Sequence, residues 1–216
     1  MENYVVIEKI GEGSFGKVYK GRRKYTGQIV AIKFISKKGK SKKELRNLRQ
    51  EIDILRELNH PNIILMLDFF ETKREFCVVT EYAQGELFQI LEDDKELPEE
   101  EVQKIAKQLV QALHYLHSQR IIHRDMKPEN LFVKDVGGAN LFTIIDWGIA
   151  AVKDDQNTFA LTQTKAWTPF WCPPEQEQGT VSIGNDIFSL GAIGYAMVVP
   201  YDEIIRDSKN SISPPY

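Results

Sequence analysis

The sequence has few cysteines, no long hydrophobic run and no strong excess of charge of either sign. The two cysteines among its 216 residues, Cys77 and Cys172, are too few for a disulfide-stabilised scaffold and suggest a reducing compartment. The longest weakly polar stretch, residues 190–200, contains two glycines and is about half of the ~20 residues that span a membrane. The chain starts with Met-Glu-Asn-Tyr, without the basic and apolar regions of a signal peptide. We therefore expect a cytoplasmic protein without a membrane span.

The charge balance excludes one class of partner. Lysine and arginine number 28 and aspartate and glutamate 31, which gives a net charge of −3 at pH 7. An acidic balance argues against a protein whose main partner is nucleic acid. Hydrophobic residues make up 42% of the chain, which is enough for a buried core. A folded globular protein with partners other than nucleic acid is expected.

The chain changes character near residue 84. Before it, runs rich in Val, Ile, Phe and Tyr predict antiparallel strands at residues 4–10, 16–21, 29–35, 63–70 and 75–82. One helix is expected among them, because Ser41 and Glu44 have capping-box spacing and apolar residues follow at helical intervals. Further on, Pro98 opens a segment whose apolar stripe continues to Leu116, which predicts a long helix. We predict an α+β fold with a sheet-rich lobe (residues 1–83) and a helix-rich lobe (residues 84–216).

Three glycines, Gly11, Gly13 and Gly16, join two of the predicted strands. Glycine lets the backbone approach a ligand and offer N–H groups to anionic oxygens, although a glycine-rich hairpin gives the same pattern. A Rossmann motif would open a helix, whereas this one continues into a strand. A P-loop would end in Gly-Lys-Ser or Gly-Lys-Thr, whereas here Val18 follows Lys17.

A lysine lies in the strand Val-Ala-Ile-Lys. In this strand Lys33 is on the same face as Ala31, so its ammonium group has apolar surroundings and needs an acidic partner. On the predicted helix Glu51 lies on the apolar, inward face, whereas Asp53 and Glu57 point away. Glu51 is the candidate partner, and a surface lysine with a surface glutamate is the alternative interpretation.

Two more motifs follow the long helix. They read His-Arg-Asp-Met-Lys-Pro-Glu-Asn at residues 123–130 and Ile-Asp-Trp-Gly at residues 145–148. Together the four motifs resemble the signature of eukaryotic protein kinases. Residues 1–133 are similar to Fused-type serine/threonine kinases, and the later part resembles a more divergent kinase. The resemblance implies a two-lobed protein-kinase-like fold and transfer of the ATP γ-phosphate to serine or threonine of protein substrates.

The resemblance implies catalytic roles for the matching residues. Lys33, held by Glu51, would contact the α- and β-phosphates. Asp125 would accept or orient the proton of the substrate hydroxyl, and Lys127 would steady the γ-phosphate.

The resemblance also implies ATP and Mg²⁺ as cofactors. Asn130 and Asp146 would hold the magnesium ion. Thr80 matches the residue at the back of the adenine site, and the residues after it match the hinge that hydrogen-bonds adenine. The implied nucleotide contacts are Ile10, Gly11, Gly13, Gly16, Val18, Ala31, Lys33, Thr80, Glu81, Ala83, Glu86 and Phe132.

The same resemblance implies that phosphorylation of the segment after the metal site regulates activity. Arg124 precedes the catalytic aspartate, an arrangement in which a guanidinium can bind an activation-loop phosphate. Thr162 and Thr164 are the candidate sites, and an upstream activating kinase is an expected partner. Asp186 matches the aspartate that usually braces the catalytic loop.

Three features depart from the family pattern. Trp147 and Pro173 stand where phenylalanine and alanine are usual, and the chain ends at Tyr216 without the last helices of the family. We therefore expect a helical lobe that lacks those helices and exposes an apolar face near residues 190–199. Two hypotheses follow: an active serine/threonine kinase, favoured by the complete catalytic set, and a nucleotide-binding scaffold with little turnover, favoured by the missing helices.

Overall fold

The computed structural model describes residues 2–13, 16–145, 151–152, 170–177 and 179–200, and the chain divides into two compact units between Ala83 and Gln84. The first unit contains a five-stranded antiparallel sheet and one helix. Its elements are β1 (Tyr4–Gly13), β2 (Gly16–Arg23), β3 (Ile29–Ser36), α1 (Lys42–Glu57), β4 (Met66–Glu71) and β5 (Glu75–Glu81). The strand order is β1-β2-β3-β5-β4.

Alternation along the strands gives the sheet two apolar faces. One face carries the buried cluster Tyr4, Val30, Ile32 and Val79. The other face packs against α1 through the cluster Ile35, Ile52, Phe76 and Val78. The core of the first unit therefore lies on both sides of β3 and β5.

The capping box predicted at the start of α1 is confirmed. The Glu44 N–H donates to Ser41 Oγ at 3.2 Å, and the Ser41 N–H donates to Glu44 Oε2 at 2.7 Å. Two backbone donors that a helix start leaves unsatisfied are thus bonded, which fixes where α1 begins.

The strand predicted from residue 63 was wrong at its start, because β4 begins at Met66. The Ile63 N–H donates to the carbonyl oxygen of His60 at 3.0 Å, which closes a turn around Pro61. Ile63 is 2% exposed. Ile63 forms only an isolated β-bridge, so the chain enters the regular strand three residues later than predicted, and the apolar character of Ile63 reflects its burial beside the turn.

The second unit is rich in helices and also contains short strands. Its elements are β6 (Gly85–Glu86), α2 (Leu87–Asp94), α3 (Glu99–Ser118), β7 (Ile121–Ile122), a 3-10 turn (Pro128–Asn130), β8 (Leu131–Val136), β9 (Ala139–Ile144), β10 (Ala151–Val152), α4 (Pro174–Glu177) and α5 (Ile183–Val198). The strands form a three-stranded sheet, β6-β8-β9, and a β7-β10 pair. The predicted α+β fold is confirmed.

Helix α5 has exposed apolar side chains, but only part of the predicted face at residues 190–199 is exposed. Within that stretch Tyr195 is 53% and Val198 49% exposed, whereas Ile193 and Met197 are fully buried. Ile187, which precedes the stretch, is 54% exposed. No helix in the described part of the chain combines the length and apolar character that a membrane span needs.

Candidate active site

The register of the first sheet brings four predicted nucleotide-binding residues to one face. Lys33 of β3 is opposite Val18 of β2, and Ala31 of β3 is opposite Thr80 of β5. Directly paired residues share a face, and residues two apart along a strand do so as well. All four therefore lie on the face that also carries Ile35 and packs against α1.

Helix α1 presents its predicted acidic residue as expected. Glu51 is half-buried and precedes Ile52, which is 2% exposed, whereas Asp53 and Glu57 are exposed. Lys33 is also half-buried. The ion pair between Lys33 and Glu51 stays a prediction.

A charged cluster that the sequence pattern did not reveal ties α1 to the edge of the sheet. Arg49 Nη2 lies 2.5 Å and Lys37 Nζ 2.7 Å from Glu71 Oε1, and Arg49 Nε donates to Glu71 Oε2 at 3.2 Å. Both cations also lie over the Phe76 ring, 4.5 Å (Lys37) and 5.6 Å (Arg49) from its centroid. The hydrogen bonds from Lys37 and Arg49 hold the pKa of Glu71 below its ordinary value. Because Arg49 is two residues from Glu51, the cluster restrains the turn of α1 that carries Glu51.

The glycine motif forms the end of the β1-β2 hairpin. Gly11 and Gly13 lie in β1, and Gly13 pairs with Gly16 at the start of β2. Gly16 has φ 140°, and a Cβ there would lie 2.1 Å from the carbonyl oxygen of Phe34. Only glycine fits this approach of two backbones, so Gly16 has a structural role whether or not it contacts phosphate. Ile10 is 45% exposed on β1.

The predicted hinge is held at the end of β5. The Glu81 N–H donates to the carbonyl oxygen of Leu65, and the Leu65 N–H donates to Glu81 Oε1, both at 3.0 Å. Ala83 is 7% exposed. The sequence did not indicate that Lys20 Nζ lies over the Tyr82 ring, 5.2 Å from its centroid. These contacts restrain the backbone that the resemblance assigns to adenine binding.

Two other predicted nucleotide contacts are paired in the second unit. Glu86 of β6 is opposite Phe132 of β8. Partial burial and, secondarily, the Glu129 carboxylate raise the pKa of Glu86. Glu129 Oε2 is buried and makes no hydrogen bond within the described residues. Two close carboxyl groups favour a hydrogen-bond donor beside them, such as a hydroxyl group or a cation.

The loop after β7 gathers three predicted catalytic and metal residues. Asp125 Oδ2 lies 3.0 Å from Lys127 Nζ and accepts a hydrogen bond from Asn130 Nδ2 at 3.1 Å. Asn130 Nδ2 also donates to the carbonyl oxygen of Asp125 at 2.8 Å. The Asp125 N–H donates to His123 Nδ1 at 3.3 Å. The carboxylate of Asp125 is thus held by a cation and an amide, and its backbone by the same amide and an imidazole.

Helix α5 braces this loop, as predicted for Asp186. Its carboxylate is fully buried and accepts the backbone N–H groups of His123 at 2.9 Å and Arg124 at 2.8 Å. His117 of α3, which sequence reasoning missed, places Nε2 2.8 Å from Asp186 Oδ2. One buried carboxylate therefore joins α3, α5 and the loop that carries Asp125.

Of the two predicted magnesium ligands, only Asn130 lies within the described residues, and its contacts can be compared with that role. Asp125 engages Asn130 Nδ2, so the remaining polar atom of that side chain is an oxygen, the ligand type that Mg²⁺ prefers. Asn130 therefore fits the role. Asp146, Trp147, Thr162 and Thr164 lie outside the described residues, within which no group of three or more His, Cys, Asp or Glu side chains could hold a metal ion.

Comparisons with known proteins agree with this geometry. A family model described as the protein kinase domain matches residues 4–212. The chain is 58% identical over 200 residues to serine/threonine-protein kinase TIO of Arabidopsis thaliana, which covers 92% of the chain and 15% of that protein. It is 56% identical over 200 residues to serine/threonine-protein kinase 36 of Mus musculus, with the same shares of both chains. It is 42% identical over 196 residues to serine/threonine-protein kinase fused of Drosophila melanogaster, which covers 90% of the chain and 24% of that protein. The chain thus spans about 15% of the length of the first two relatives and about a quarter of the third.

Proposed function

Because the chain belongs to the protein kinase domain family, we propose that it transfers the γ-phosphate of ATP to serine or threonine side chains of protein substrates. The observation that carries this proposal is the Asp125 carboxylate, held by Lys127 and Asn130 on a loop braced by Asp186. Relatives at 56–58% identity are named serine/threonine kinases, which supports the choice of hydroxyl substrate.

The first unit supplies the residues that we assign to the nucleotide. Val18 and Ala31 would pack on adenine, and Lys33 would bind the α- and β-phosphates. Their shared face of the sheet supports this assignment. We assign Glu51 to hold the Lys33 ammonium, since both side chains are half-buried on the two elements that pack together there. Glu86 would accept a hydrogen bond from a ribose hydroxyl.

The second unit supplies the catalytic loop. Within the described residues, the contacts of Lys127 and Asn130 with the Asp125 carboxylate both engage Oδ2, so we assign Oδ1 to the substrate hydroxyl. The hydroxyl oxygen bonds to the γ-phosphorus, the bond from that phosphorus to the bridging oxygen of ADP breaks, and the hydroxyl proton passes to Asp125. The Lys127 ammonium would balance negative charge on the γ-phosphate. Asn130 and Asp146 would hold Mg²⁺, which neutralises charge on the phosphate oxygens.

The proposal is tested by transfer of labelled phosphate from ATP to a protein substrate. Asp125→Asn should lower kcat by about 100-fold or more, while affinity for ATP stays within about twofold because Asp125 acts on the hydroxyl. The matched control is Asp94→Asn, the same change at an exposed position on α2, which should behave as the parent chain does. Transfer by Asp125→Asn at the parent's rate would exclude this role. ATP binding without transfer by the parent would instead support the scaffold hypothesis.

We further propose that phosphorylation of Thr162 or Thr164 by an upstream kinase raises activity through Arg124. Mass spectrometry after incubation with Mg-ATP and a cell extract that supplies the upstream kinase should locate phosphate at one of these threonines, and the double alanine variant should be slower. Full activity of the double variant would contradict this mechanism.

We propose a cytoplasmic location, and imaging of a fluorescent fusion in cells checks it.

A further inference from the structure

Arg124, the residue before Asp125, has an unusual backbone conformation. Arg124 is 8% exposed and has φ 72°, in the left-handed region that residues with a Cβ rarely adopt. Such a conformation is strained and persists only where the surroundings hold it. One restraint is the hydrogen bond from the Arg124 N–H to Asp186 Oδ1, at 2.8 Å.

A second restraint comes from a residue that the resemblance leaves without a role. Gln176 of α4 is 5% exposed, and its Nε2 donates to the carbonyl oxygen of Arg124 at 2.9 Å. This carbonyl belongs to the peptide group that joins Arg124 to Asp125, whose N–H donates to His123 Nδ1 at 3.3 Å. Both polar atoms of this peptide group are therefore bound by side chains.

One polar atom of the Gln176 side chain is placed unfavourably for stability. Its Oε1 is buried and makes no hydrogen bond within the described residues. A buried polar atom without a hydrogen bond is destabilising, and an apolar side chain of similar size would avoid that loss. The amide is therefore poorly explained by packing and well explained by its bond to Arg124.

The segment that carries Gln176 is itself anchored to α5. Ser189 Oγ donates to the carbonyl oxygen of Trp171 at 2.6 Å, and both residues are buried. Asp186 and Ser189 are three residues apart in α5, hence on one side of the helix. Helix α5 thus holds the catalytic loop through Asp186 and residues 170–177 through Ser189, and Gln176 joins these two segments directly.

We propose that Gln176 is a positioning residue for Asp125. Its amide fixes the plane of the peptide group before Asp125 and thereby the direction in which the Asp125 carboxylate leaves the backbone. The inference rests on the proposed function, since it takes Asp125 as the group that receives the substrate proton. A loosened peptide plane would displace the carboxylate from the attacking hydroxyl without removing any nucleotide contact.

Two variants of similar size test this role. Gln176→Met removes the donor and fills the same space with apolar atoms. Gln176→Glu presents a carboxylate, which at neutral pH cannot donate and faces the Arg124 carbonyl oxygen with another acceptor. The control is Gln103→Met, which removes an exposed hydrogen bond from Nε2 to Glu99 Oε1. Each variant is measured for kcat, for KM of ATP, and for backbone hydrogen exchange in residues 121–125.

We expect kcat to fall about 10-fold for Gln176→Met and further for Gln176→Glu, with KM for ATP within about twofold of the parent. Exchange at residues 121–125 should be faster in both variants, and Gln103→Met should match the parent. Parent-like kcat and exchange in Gln176→Met would overturn the inference, as would a loss of kcat that only tracks the unfolded fraction. If the parent chain transfers no phosphate, the proposed function fails, and hydrogen exchange alone decides whether Gln176 holds the loop.

Discussion

Replacement of Asp186 by asparagine should destabilise the second unit strongly. The carboxylate is fully buried and receives the backbone N–H groups of His123 and Arg124 at 2.9 and 2.8 Å and His117 Nε2 at 2.8 Å. Asparagine has almost the same shape but offers one acceptor oxygen and one amide donor. The substitution therefore tests hydrogen bonding with little change in packing.

The expected loss follows from the two orientations that asparagine can take. If its oxygen replaces Oδ2, the bonds from His123 and His117 remain, and the new NH₂ group faces the Arg124 N–H. If its oxygen replaces Oδ1, the new NH₂ group faces the His123 N–H, and His117 can bond to that group only through an Nε2 that accepts. The better orientation still loses one charge-assisted hydrogen bond and buries two opposed donors, which costs about 3–5 kcal/mol. That is a large part of the ~5–15 kcal/mol stability of a typical domain.

Thermal melting with a urea titration measures the effect. A loss of 3–5 kcal/mol should lower the melting temperature by about 10 °C. Phosphate transfer should fall as well, because Asp186 holds the backbone next to Asp125. Asp94→Asn on the surface is the control and should change the free energy of unfolding by less than about 0.5 kcal/mol. An Asp186→Asn variant within 1 kcal/mol of the parent would refute the reasoning.

Two further predictions concern the surface cluster on α1 and the exposed face of α5. Since Lys37 and Arg49 lower the folded-state pKa of Glu71 from its ordinary 4.5, its stabilising effect is complete above that value and is lost as pH falls through the lowered pKa. Glu71→Gln should therefore cost about 1 kcal/mol or less at pH 7 because the pair is partly exposed, with no cost at acid pH; melts from pH 3 to 7 check this, and a cost that grows as pH falls would contradict it. On α5, the double variant Ile187→Gln with Tyr195→Gln should reduce the binding of a hydrophobic dye and change the free energy of unfolding by about 0.5 kcal/mol or less. The control Ile193→Ala, at a buried position, should lower the free energy of unfolding by about 2–5 kcal/mol. Dye binding by the double variant equal to that of the parent would show that this face is covered.

Several features of the first unit followed from local pattern alone. The capping box of Ser41 and Glu44 and the inward face of α1 depend on residues three or four apart, so the sequence displays them directly. Alternation along β3 placed Lys33 on the same face as Ala31, whereas its pairing with Val18 depends on the register of β2 against β3 and was not predicted. The start of β4 did not follow, because a buried turn and a strand show the same run of isoleucines.

The glycine motif shows how one pattern can have two physical causes. The sequence alone allows two interpretations of Gly16, as a residue that approaches phosphate or as part of a glycine-rich hairpin. A Cβ atom added at Gly16 would lie 2.1 Å from the carbonyl oxygen of Phe34, so the packing of the sheet by itself requires glycine there. Its contact with phosphate stays a prediction, since the same freedom of the backbone serves both.

The sequence by itself indicated the kinase family and the α+β class, and it placed Asp125, Lys127 and Asn130 together because they lie within one short loop. The catalytic and metal-binding roles of these three residues stay predictions. The resemblance predicted that Asp186 braces that loop, and only the tertiary structure showed that Gln176 and His117 also take part. Gln176 is 52 residues from Arg124, and His117 is 69 residues from Asp186. No periodicity or motif records contacts between residues so far apart along the chain. They arise when α3, α4 and α5 pack around buried polar groups that must find partners, and that requirement is satisfied in three dimensions.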